Sequence, residues 1–83
     1  MKEMATAGGT EVAERAIALT VNGGERRIPA GWTLADLLAS LDLDARAIVV
    51  ERNGTILRDR ASFGSLSIEP DDSIEIVHFV GGG

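Results

Sequence analysis

The chain has 83 residues and a mass of 8.7 kDa, which is room for one small domain. Its composition, 45% hydrophobic and 25% charged, is that of an ordinary globular protein; it argues against wholesale disorder, and no apolar run approaches a membrane span. Thirteen Asp and Glu against eight Lys and Arg give a formal net charge of −5, which disfavours nucleic acid as a partner and favours a protein with a basic docking face.

Residues 1–16 are small, polar and glycine-interrupted, and read as a flexible N-terminal extension. They lack the apolar core of a signal peptide, so a cytoplasmic location is expected. Order is expected from residue 17 to residue 80. Ile17, Leu19 and Val21 alternate with Ala18 and Thr20, the period of a half-buried strand. Asn22-Gly23 supplies the positive φ angles of a tight hairpin turn, and a return strand runs from Glu25 to Ile28, stopped by Pro29. Thr33 is placed to cap a helix whose third residue, Asp36, completes a variant capping box, and Trp32 stands where it would staple onto Leu37. Leu34, Leu37, Leu38 and Leu41 then form one stripe of a helix over residues 34–42.

Ile48-Val49-Val50 leads through Glu51 and Arg52 to Asn53-Gly54, a second hairpin signal, and Thr55-Ile56-Leu57 returns. Residues 58–72 are polar and irregular, pinned by Phe63, Leu66 and Ile68, with a turn at Pro70-Asp71-Asp72. The last strand covers residues 73–80, with Ile74, Ile76 and His78 on one face and Glu75, Val77 and Phe79 on the other. The order β-β-α-β-β-β predicts an α+β domain in which one helix covers a mixed sheet of four or five strands, with the long final strand in a central place. That arrangement is the β-grasp, or ubiquitin-like, fold.

The chain carries little chemistry of its own. There is no cysteine, hence no thiolate nucleophile or thiolate metal site, and a single histidine cannot build a multi-histidine site. His78 is expected as a satisfied histidine at the edge of the core. The feature left to explain is the tail, Gly81-Gly82-Gly83. Backbone without Cβ atoms can enter a narrow channel in another enzyme and present a terminal carboxylate. If Ile74 and Ile76 face the helix, Val77 and Phe79 lie on the open face of the sheet as an exposed apolar pair, a candidate docking surface for that enzyme.

Residues 17–83 resemble the ThiS family of sulfur carrier proteins of thiamine (thiazole) biosynthesis. The resemblance rests on V-N-G at Val21-Asn22-Gly23, T-L-x-D-L-L at residues 33–38, N-G-x-I-L-R at residues 53–58, D-x-I-E-I-V at residues 72–77 and V-G-G-G at residues 80–83. It implies that a ThiF-like adenylyltransferase consumes ATP to adenylate the Gly83 carboxylate, and that sulfur from a donor such as a cysteine desulfurase converts it to a thiocarboxylate. A ThiG-like thiazole synthase would then take the sulfur. On this reading the chain is a protein co-substrate with no bound cofactor or metal, and a monomer when free. Two other readings stay open: a carrier for another pathway, such as the small subunit of molybdopterin synthase, and a ubiquitin-like binding module that is never activated.

Overall fold

The computed structural model describes residues 15–79. Five strands, β1 (Ala16–Val21), β2 (Gly24–Pro29), β3 (Ile48–Arg52), β4 (Thr55–Leu57) and β5 (Ser73–His78), form one sheet in the order β2-β1-β5-β3-β4. The hairpins β1–β2 and β3–β4 are antiparallel, β5 is antiparallel to β3, and β5 is parallel to β1. The sheet is therefore mixed, and the last strand joins two hairpins that otherwise share no ladder. One helix, α1 (Leu34–Ser40), lies across one face.

Local chemistry explains the punctuation. Asn22 and Gly23 have φ of 50° and 83°, and Asn53 and Gly54 have 50° and 87°, the left-handed pairs that let two-residue turns match the twist of their strands. Pro29 is the last residue of β2, an edge strand, where its missing N–H costs no central ladder bond. At the start of α1 the Thr33 side chain accepts from the Asp36 N–H (3.2 Å), and the Asp36 carboxylate accepts from the Thr33 N–H (2.9 Å), so the capping box is complete. Trp32 packs against the core that contains Leu37. The helix ends at Ser40, two residues before the expected limit, because Leu41 is already a cap and Asp42 adopts φ of 60°.

Leu34, Leu37 and Leu38 of α1 meet Leu19, Ile28, Ile48, Val50, Ile74 and Ile76 of the sheet in a single buried core. Phe63 and Ile68 close it from the long connection before β5, where a 3-10 turn forms at Arg60–Ser65. Two backbone bonds lock that connection to the helix entrance, Leu34 N–H to the Leu66 carbonyl (2.9 Å) and Ile68 N–H to the Trp32 carbonyl (3.0 Å). A second 3-10 turn, Ala45–Ala47, carries the chain into β3 and is capped by Asp44, which accepts from the Arg46 N–H (2.9 Å). Hydrogen bonds from the Arg46 side chain, and then from its amide, hold the exposed Asp44 carboxyl down to about 2.

Candidate functional site

β5 sorts its side chains as the alternation requires. Ile74 and Ile76 are buried under α1, while Val77 and Phe79 stand on the open face at 61% and 55% exposure. β5 ends at His78, short of the expected residue 80, yet Phe79 still donates its N–H to the Ala47 carbonyl (2.9 Å) and so keeps a fixed position on the open face. Gly81, Gly82 and Gly83, the expected reacting tail, lie outside the described residues.

Two neighbours enlarge the apolar pair. Val49 lies directly opposite Val77 in the ladder, and Ile56 on β4 is 44% exposed on the same face. A shallow hollow of about 400 Å³ is lined by Val49, Ile56, Arg58 and Arg60. The Arg60 guanidinium sits 5.9 Å from the centre of the Phe79 ring, within cation–π range. It is held there by hydrogen bonds to the carbonyls of Ala45 and Ile48, each 2.9 Å. The open face thus presents an apolar patch bordered by arginines, although the chain as a whole is acidic. Beyond Val77 it turns acidic, for Glu51 and Glu75 are directly opposed.

His78 departs from expectation. Its parity puts it on the helix side, but it stands beside Leu41 and Leu43, past the end of α1, and is exposed rather than part of the core edge. It lines a groove of about 420 Å³ with Val21, Gly24, Leu41, Leu43 and Ile76. The sequence reading also missed what the two turn asparagines do. Asn22 accepts from the Ile76 N–H through Oδ1 (2.6 Å) and donates through Nδ2 to the Ile76 carbonyl (3.3 Å). Asn53 accepts from the Ser73 N–H (2.8 Å) and donates to the Asp72 carboxylate (3.0 Å). Both asparagines clamp the strand that leads to the tail.

Among the described residues there is no group of three His, Cys, Asp or Glu side chains placed to hold a metal ion, and no helix long and apolar enough to cross a membrane.

Comparison with known proteins fits this geometry. The model of the ThiS family matches residues 8–83. The chain is 45% identical over 51 residues to the sulfur carrier protein ThiS of Bacillus subtilis, covering 61% of this chain and 76% of that one. It is 40% identical over 65 residues to a thiazole synthase of Paramagnetospirillum magneticum and 40% identical over 63 residues to one of Magnetococcus marinus. It spans only 20% and 19% of the length of those two synthases. The crystal structure of the thiamine biosynthesis protein ThiS from Geobacter metallireducens superposes with a TM-score of 0.67 at 31% identity, covering 81% of this chain and 100% of that one. With the β-grasp sheet and helix in place and nearly the whole chain matched, this protein belongs to the ThiS family.

Proposed function

We propose that the chain is a sulfur carrier for thiazole synthesis, acting in the cytoplasm as a recycled co-substrate rather than as a catalyst. The observation that carries this reading is the central strand of a ThiS-family body running out through Phe79 into Val80-Gly81-Gly82-Gly83. With no cysteine in the chain, sulfur has no side-chain persulfide to ride on, and the carboxylate of Gly83 is the covalent site. A carboxylate oxygen of Gly83 attacks the α-phosphorus of ATP on a ThiF-like adenylyltransferase, and pyrophosphate leaves. The acyl-adenylate then loses AMP to hydrosulfide and a thiocarboxylate results; where a donor such as a cysteine desulfurase delivers the sulfur as a persulfide, the acyl disulfide first formed is cleaved by a thiol reductant. Gly81 and Gly82 let the chain pass through a narrow channel to that centre.

The body supplies recognition. Val77 and Phe79, with Val49 and Ile56, are the apolar centre of the docking surface, and Arg58 and Arg60 border it. A ThiG-like thiazole synthase is the sulfur acceptor, a role supported by the matching segment within two thiazole synthases.

The test is intact mass after incubation with ATP, the adenylyltransferase and sulfide. The carrier gains the mass difference between sulfur and oxygen at its C-terminus, and a variant with one residue added after Gly83 gains nothing while keeping its fold. A chain that binds the enzyme but never gains sulfur is a binding module, and the carrier reading then fails.

A further inference from the structure

On its β1 side, β5 has no neighbour for its last residues among those described. Two bonds set the phase of the β3–β5 ladder: Asn53 N–H to the Ser73 carbonyl (2.8 Å) and Phe79 N–H to the Ala47 carbonyl (2.9 Å). Hydrogen-bonded pairs alternate along antiparallel strands, so Glu75 and Val77 also bond to β3. The N–H and C=O groups of Ile74, Ile76 and His78 therefore point the other way, toward β1. The Ile74 carbonyl accepts from the Asn22 N–H (2.8 Å), and both groups of Ile76 are taken by the Asn22 side chain. Among the described residues His78 has no counterpart on that side, because β1 pairs with β5 only at Thr20↔Ser73 and Val21↔Ile74 and the chain then turns back at Asn22-Gly23.

The open edge borders the groove of about 420 Å³, whose apolar walls include Val21, Leu41, Leu43 and Ile76. An unpaired strand edge recognises extended backbone, and an adjoining apolar groove recognises an alternate side chain of the same segment. The occupant follows from the length of chain beyond this point. Gly83 is the fourth residue after Phe79, and four residues reach at most about 14 Å. An enzyme that acts on the Gly83 carboxylate is thereby pressed against this end of the sheet.

We infer that the His78 edge and the groove beside it receive an extended segment of thiazole synthase, the enzyme that takes the sulfur from the Gly83 tail. The segment adds to β5 as a short strand, bonds to the His78 N–H and C=O, and seats an apolar side chain against Leu41 and Leu43. This rests on the carrier reading, in which Gly83 bears the reacting carboxylate.

Gly24 offers a plug. It lies opposite Val21 in the ladder, and a Cβ built on it meets only the Val21 carbonyl oxygen at 3.7 Å, an ordinary contact. A side chain there enters the groove without strain. With thiazole synthase as the probe, Gly24→Leu should bind at least tenfold more weakly while its thermal unfolding midpoint stays at or above that of the parent chain. Hydrogen exchange supplies the direct readout of backbone pairing. The His78 amide should exchange rapidly in the free chain and at least tenfold more slowly in the complex, whereas the Val77 and Phe79 amides are protected in both. An unprotected His78 amide in the complex, or a folded Gly24→Leu chain that binds as tightly as its parent, overturns the inference, as does a parent chain that gains sulfur yet never binds the synthase. A parent chain that gains no sulfur in the mass experiment overturns the carrier reading, and this inference with it.

Discussion

Asp72 is the one buried charged residue among those described, and it organises the start of β5. Its carboxylate accepts from the Arg52 guanidinium (3.0 Å), the Asn53 amide (3.0 Å) and the Glu69 N–H (2.9 Å). Burial is the largest single influence on its acidity and raises the pKa, but the Glu69 amide, Asn53 and Arg52 together outweigh it and hold the carboxyl below its ordinary value of 3.8. A carboxyl more acidic in the folded than in the unfolded chain stabilises the fold above the unfolded pKa, and that contribution is lost as pH falls through the folded one. Urea unfolding of the parent chain should therefore lose stability below about pH 4, and Asp72→Asn should flatten that acid-side loss. At neutral pH, Asp72→Ala should cost about 1–3 kcal/mol, because Arg52 and Asn53 lose their acceptor. None of this was legible in the sequence, where Asp72 reads as one member of a Pro-Asp-Asp turn. The backbone angles of Asn22 and Asn53 were legible, since Asn-Gly between strands demands them. Their side-chain bonds were not, for Asn22 and Ile76 stand 54 residues apart and no local pattern joins them.

At the scale of the element, α1 shows why some segments announce themselves. A cap, a box-completing Asp36 and a leucine stripe agree on one short helix, and the structure buries Leu34, Leu37 and Leu38 where the stripe puts them. Leu38→Ala should cost about 2–5 kcal/mol in urea unfolding, a large share of the roughly 5–10 kcal/mol that holds so small a domain. A loss below about half a kcal/mol would mean that the stripe does not close the core. The 3-10 turn at Arg60–Ser65 had no such signature, because a piece with so few turns has no periodicity to display and its sequence is polar apart from Phe63. What holds it is tertiary: Phe63 is buried in the core, and Arg60 spans to the carbonyls of Ala45 and Ile48. The end of β5 was overestimated and the setting of His78 misjudged for a related reason. Alternation tells which face a side chain takes, but not how far a seven-residue helix extends over that face.

Across the whole molecule, the two faces of the sheet divide the work. The helix side carries the core, and the open side carries the apolar patch with its arginine border, so substitutions on the open side should separate recognition from stability. Phe79→Ala should change unfolding free energy by no more than about 1 kcal/mol while weakening partner affinity by about 1–3 kcal/mol. Paired denaturation and titration measurements check both halves, and a strongly destabilised variant would put Phe79 in the core's service instead. The division was readable in advance because the alternation of β5 fixes sides in relation to each other, and burial of the isoleucines then assigns them. The position of β5 between β1 and β3 has a consequence for how the protein is made. During synthesis the two hairpins and α1 emerge first, but they have no common ladder until residues 73–78 arrive, at roughly 5–20 residues per second. Closure of the sheet therefore waits on the residues that lead straight into Gly81-Gly82-Gly83. A chain cut short before Ser73 has neither a closed sheet nor the glycine tail, so on the carrier reading an unfinished product cannot be loaded with sulfur.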